Sequence, residues 1–251
     1  MQRRRAITFD FHDTLATCDR WFDLEVRSLP ALVLERLSPA DIWSRPIPSG
    51  ELLTSTYRAL RAEIIDHGVE LDALAGVVET YQRLGLNVDQ APLADAVEGL
   101  MREALIDVRP KPGAIDTVTT LHEAGFTLGV ISSAVYHQFL LWVLDEFSIL
   151  PMFRTVVTSA SAGFYKSRPE IYRRALLDLE VDAESTCHVG DSARWDHLMA
   201  KSLGIRTVLV TPKDFEADRG QPAPDLHLRS LVGAARAIEG VAVAAGEGTA
   251  S

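Results

Sequence analysis

The chain has 251 residues, the length of one large domain or of a core carrying an insert. Apolar residues make up 47% and charged residues 24%, an ordinary globular balance. With 25 Lys and Arg against 35 Asp and Glu, the net charge of −10 argues against a nucleic-acid binder and against docking on an anionic membrane.

The first apolar run, residues 6–11, predicts a buried strand. The basic start ahead of it does not lead into a signal peptide, because Asp10, His12 and Asp13 interrupt the apolar run. No stretch reaches the ~20 apolar residues of a membrane span. Cys18 and Cys187 read as reduced buried thiols, so a cytoplasmic location is expected.

The segment 18–105 changes rhythm. It shows no strand pattern, and 21–37, 51–67, 71–84 and 92–105 suit helices, with breaks at Ser38-Pro39 and 45–50. Trp21, Phe22, Trp43 and Tyr57 read as core of this segment, with the lining of a substrate pocket as the alternative; Arg58 and Arg61 read as a solvated face, with contact to an anionic substrate as the alternative. A helix over 114–124 follows, with Ile115, Val118, Leu121 and Ala124 on one face and Gly125 as its stop. Strands are predicted at 126–132, 155–158, 186–189 and 207–210, with helices at 171–179 and 196–203. Strand–helix alternation with buried-type strands predicts an α/β fold. It reads as a Rossmann-like parallel sheet core of residues 1–17 and 106–240. A helical cap of residues 18–105 is inserted after the first strand, and 241–251 reads as a disordered small-residue tail.

Ligands of open α/β sheets bind beyond the carboxyl ends of the strands. Asp10 stands at the first such end, Ser132 and Ser133 at the second, Lys166 after the third, and Asp191 and Asp196 after the fourth. Carboxylates, a hydroxyl and an ammonium around one crevice suit phosphoryl transfer. Asp10 is the natural nucleophile, Asp191 the natural Mg²⁺ ligand and Lys166 the natural charge clamp.

Four motifs in order carry a resemblance. They are Asp10-Phe11-His12-Asp13-Thr14-Leu15, Val130-Ile131-Ser132, the frame from Gly163 through Lys166 and Pro169 to Tyr172, and Gly190-Asp191-Ser192 followed by Asp196. Over residues 6–212 the chain resembles the haloacid dehalogenase-like hydrolases. The resemblance implies a helical C1 cap. It implies that Asp10 attacks, that Mg²⁺ is held by Asp10, the His12 carbonyl and Asp191, and that Ser132, Ser133 and Lys166 hold the phosphoryl group. Asp196 and Thr14 would orient these groups from behind.

Two departures stand out. His12 replaces the Asp that serves as acid and base in the family's phosphatases, and is read as its catalytic stand-in or as a structural histidine. Asp13 replaces a glycine and reads as a turn residue. The leading expectation is Mg²⁺-dependent hydrolysis of a small phosphorylated metabolite through an aspartyl-phosphate. Leaving groups that need little protonation are favoured. A phosphate-ester-binding or regulatory protein with little turnover, and a 2-haloacid dehalogenase-type enzyme, are the alternatives.

Overall fold

The computed structural model describes residues 5–43, 46–213, 215 and 220–244. Strand β1, Ala6–Phe9, is wholly buried. The short strand β2, Ala16–Thr17, pairs antiparallel with β3, Arg109–Pro110, so the chain leaves and re-enters the core side by side.

Among the described residues, everything between these two strands is helical or irregular. Helix α1, Asp19–Asp23, runs through a π-helical turn, Leu24–Ser28, into α2, Leu29–Arg36. Helices α3, Gly50–His67, α4, Ala73–Arg83, and α5, Gln90–Glu103, complete the segment. Ser49 caps the start of α3 by accepting from Leu52 N (3.2 Å), and Gly68 ends it at φ 74°, a left-handed conformation that glycine adopts without cost. Leu53, Tyr57, Leu60 and Ile64 recur at helical spacing on its buried face, and Arg61 lies on that same face.

The core continues with α6, Ala114–Glu123, β4, Thr127–Ser132, α7, His137–Glu146, and β5, Phe153–Thr158. Then come α8, Ser159–Ala162, α9, Pro169–Leu179, β6, Thr186–Gly190, and a second π-helical turn, Ala193–Met199, leading into α10, Ala200–Ser202. Strands β7, Arg206–Val210, and β8, Leu226–Leu228, and helix α11, Ala235–Ala244, close the chain.

The sheet runs β5-β4-β1-β6-β7-β8 with every neighbour parallel. Residues of β1 face Thr127–Val130 on one side and Thr186–Val189 on the other. Strand order therefore reverses around β1, which opens a crevice at the carboxyl ends of β4, β1 and β6. Both sheet faces are covered. Val130 joins the large apolar cluster that continues into the helical segment, while its neighbour Ile131 packs with Ile171, Tyr172 and Ala175 of α9.

Several expectations are corrected. The first strand stops at Phe9 rather than at 11, which frees Asp10 and Phe11 for the turn behind it. The helix expected at 196–203 is largely the π-helical turn. Helix α7 and strand β8 carry too weak a pattern to be read in advance. The tail expected to be disordered from 241 stays helical to Ala244, because Ile238 and Ala242, four residues apart, are both fully buried as α11 packs on α6 and β7. The remainder of that tail, 245–251, lies outside the described residues. No helix among the described residues is long and apolar enough to cross a membrane.

Candidate active site

Asp10 extends the β1 ladder by one bond, its N–H donating to Val189 O (2.8 Å). The chain then turns sharply. Asp13 takes φ 62°, and Leu15 and Ala16 both donate back to Phe11 O. A short polar side chain tolerates this left-handed conformation, which confirms Asp13 as a turn residue. Its carboxylate pairs with Lys111 Nζ at 3.2 Å.

Lys166 follows α8, which Gly163 ends at φ 75°. The lysine is 3% exposed, and its ammonium donates to Asp10 Oδ1 and to Asp196 Oδ1, the latter at 2.6 Å. Ser133 Oγ accepts from Lys166 N at 3.3 Å and so holds the backbone behind the ammonium. Asp196 is fully engaged. Its Oδ1 also meets His188 Nε2 at 3.1 Å, and its Oδ2 accepts from Ser192 N at 2.9 Å. The Thr8 hydroxyl lies 2.8 Å from His188 Nδ1. Gly190 lets this carboxylate in, since a Cβ there would lie 2.3 Å from Asp196 Cγ.

These contacts set the charges. Burial alone would push Asp196 up, but Lys166 and His188 hold it well below the usual carboxylate range. Burial works against the Lys166 ammonium too, and Asp10 and Asp196 outweigh it and raise its pKa. Asp10 is raised by burial against the pull of Lys166. Burial, with Asp10 and Asp196 alongside, pushes Asp191 up to about 8.

Asp10, Asp191 and Asp196 each offer an oxygen within 4.8 Å of the others. Such hard oxygen donors suit Mg²⁺. Both oxygens of Asp196 are already bonded, which leaves Asp10 and Asp191 as the ligand pair. The raised Asp191 marks crowded negative charge that a divalent cation would relieve. The residues present therefore fit the metal.

A cavity of about 510 Å³ opens above this cluster. Asp10, His12, Ser132, Ser133, Lys166, Asp191 and Asp196 all line it, so the structure brings together the site residues read from the sequence, except Thr14. Thr14 is buried with no partner for its Oγ1. Trp21, Phe22, Glu25, Arg58 and Arg61 supply the opposite wall. A second cavity of about 460 Å³, lined by Asp72, Glu98 and His137 among others, holds none of these residues.

The chain matches the model of the haloacid dehalogenase-like hydrolase family over residues 4–204. It belongs to the haloacid dehalogenase-like hydrolases. Among its relatives, a glyceraldehyde 3-phosphate phosphatase of Pyrococcus abyssi is 32% identical, covering 81% of this chain and 80% of its own. A pyrophosphatase PpaX of Anoxybacillus flavithermus is 36% identical, covering 64% and 63%. In fold the chain is similar to a 2-haloacid dehalogenase from Pseudomonas syringae pv. Tomato DC3000, with a TM-score of 0.66, 21% identity and coverage of 94% and 98%.

Within this hydrolase framework His12 turns toward the helical wall. Its ring stacks on Phe22 (centroids 4.6 Å apart, 5° between planes), and its Nε2 is buried without a partner. Burial lowers its pKa. Trp21 and Tyr57 are buried as expected, whereas Phe22 is 44% exposed at the cavity and Trp43 is 72% exposed.

The solvated-face reading of Arg61 is overturned. Arg61 is 5% exposed and ion-paired to Glu70, with Nη2–Oε2 at 3.2 Å. It follows Tyr57 by four residues and Leu60 by one on the inward face of α3, so the helix carries it inside. Arg58 is exposed at the cavity rim.

Sequence reading missed His188 and Glu25. A histidine inside the buried run 186–189 is a usable signal, because a buried polar ring needs partners. Glu25 had no comparable signal, as its burial depends on how the helical segment folds onto the core.

Proposed function

We propose that this hydrolase is a Mg²⁺-dependent phosphatase of small phosphorylated metabolites, working in the cytoplasm through an aspartyl-phosphate on Asp10. The observation that carries the reading is the Lys166 ammonium held between Asp10 and Asp196 at the floor of the cavity. The named phosphatases among the relatives support the same chemistry.

In this reading an Asp10 oxygen attacks phosphorus and the bond to the ester oxygen breaks. The departing oxygen takes a proton, for which the His12 imidazole stands in place of a carboxylic acid. Water, giving a proton back to the His12 imidazole, then attacks phosphorus, and the bond to the Asp10 oxygen breaks, releasing inorganic phosphate and restoring both residues. Lys166, with Ser132 and Ser133, balances and orients the phosphoryl oxygens. Mg²⁺ held by Asp10, the His12 carbonyl and Asp191 would supply further charge neutralisation. Asp196 positions Lys166 rather than meeting substrate. Residues 1–17 and 106–240 act as the catalytic core and 18–105 as a cap, a division supported by the paired crossing strands β2 and β3.

The test is phosphate release from para-nitrophenyl phosphate with and without Mg²⁺. Wild type turns over and Asp10→Asn falls by at least about 10³-fold. Release by Asp10→Asn at the wild-type rate overturns the mechanism. Metal-independent halide release from 2-chloropropionate would instead favour the dehalogenase chemistry.

A further inference from the structure

The helical wall holds buried polar groups that the proposed hydrolysis does not use, Glu25 among them. Glu25 is 4% exposed and lines the same cavity as Asp10. Its Oε1 lies 4.0 Å from Arg61 Nη2. Arg61 itself is bonded to Glu70. Glu25 Oε2 is buried and has no partner at all. A buried carboxylate oxygen without a donor is costly and calls for an explanation.

A second observation concerns the backbone. Glu25 sits in the π-helical turn Leu24–Ser28 between α1 and α2. Such turns weaken a helix and recur at functional sites, where they redirect a side chain. Here the turn occurs in the helix that also carries the cavity residues Trp21 and Phe22.

We propose that Glu25 is the specificity-determining residue of this site. Its Oε2 exchanges a hydrogen bond with a hydroxyl on the organic part of a phosphate monoester, which selects polyol- or sugar-type phosphates. A hydroxyl fits better than an ammonium, because the Arg61 guanidinium already supplies positive charge beside Glu25. Burial pushes Glu25 up to about 8, so its carboxyl is also able to donate to the hydroxyl oxygen. A pocket built to bond a hydroxyl discriminates strongly against an analogue that lacks it.

The inference rests on the phosphatase reading, and its test separates the two. The ratio of kcat/KM for glycerol 1-phosphate over propyl phosphate is measured for wild type, Glu25→Met and Glu25→Gln. Wild type prefers the hydroxylated ester by about tenfold or more. Glu25→Met keeps the bulk but loses the hydrogen bond, and its ratio falls to within about threefold of unity. Glu25→Gln restores part of the preference. Glu25→Ala replaces Glu25→Met if the latter does not fold.

A wild-type ratio near unity, or a preference that survives in Glu25→Met, overturns the proposal. If wild type hydrolyses neither ester, the phosphatase reading is judged on para-nitrophenyl phosphate and fails if that ester too is left intact. The same ratio is then read as dissociation constants by calorimetry on wild type and Glu25→Met. Equal affinities, or no binding of either ester, overturn the Glu25 assignment as well.

Discussion

His188 Nε2 lies 3.1 Å from Asp196 Oδ1, the oxygen that also receives the Lys166 ammonium. His188 is fully buried in the middle of the sheet and is braced from behind by Thr8. The central strands thus reach Asp10 through a chain of side chains: Thr8, His188, Asp196, Lys166, Asp10. A buried lysine between two carboxylates is geometrically locked, so its ammonium stands in place at the cavity floor before any ligand arrives.

Asp196→Ala breaks this chain at its centre. It leaves Lys166 with one buried counter-charge instead of two and strips His188 Nε2 of its partner. Removing one member of a buried ion pair costs about 3–5 kcal/mol. Urea unfolding is expected to show a loss of that size, with phosphate release also reduced. Unchanged stability would show that the pair is less buried than its 4% and 3% side-chain exposures indicate.

Gly190→Ala tests the approach of Asp196 from the backbone side. The added methyl would lie 2.3 Å from Asp196 Cγ, closer than atoms can sit, so the carboxylate must swing away. Activity is expected to fall by about tenfold or more, since misplacing a clamp by an ångström has that effect. Phosphate release by the variant, beside circular dichroism to confirm folding, decides the matter.

His12→Asp tests the proton donor. With its Nε2 unpartnered and its pKa lowered by burial, His12 delivers a proton less readily than a carboxylic acid placed at the same turn. Esters with poor leaving groups suffer most from this. The variant is expected to raise hydrolysis of alkyl phosphates relative to para-nitrophenyl phosphate by roughly 10²-fold. Equal aryl and alkyl rates in wild type would show that the imidazole already protonates competently.

Glu25 makes stability depend on pH. Burial raises its pKa from the ordinary 4.5 to about 8, against the pull of Arg61. A carboxyl raised in the folded state contributes stability that is fully present below 4.5 and is lost as pH climbs through about 8. Glu25→Gln has no such titration. The Tm of the variant minus that of wild type is therefore expected to grow between pH 5 and pH 8, each 1 kcal/mol being worth about 2–4 °C at this chain length. A difference that is flat across that window would mean that Glu25 stays ionised in the fold.

Much of the site was legible because it follows strand ends. Asp10, Ser132, Lys166 and Asp191 are each the first functional residues after a buried run, and a parallel sheet brings such ends to one edge. Asp13 was readable as a turn residue because few side chains tolerate a left-handed backbone. Arg61 was not readable. Helical spacing places it on the face of Tyr57 and Leu60, but a charge on an apolar face is ordinarily taken as an edge residue until a partner such as Glu70 is seen beside it.

What the amino-acid order determined by itself was periodicity and punctuation: a parallel α/β sheet, a helical insert between its first two strands, and the sequence of polar residues at the strand ends. These depend on neighbours within a few positions. Which helix wall closes over Asp10 was decided only by the tertiary structure. So was the turning of Glu25 inward by a π-helical turn, and so was the spending of His188 on Asp196. Each of those contacts joins elements far apart in the chain or depends on backbone irregularity, and burial makes a charged side chain meaningful only once its partners are in place.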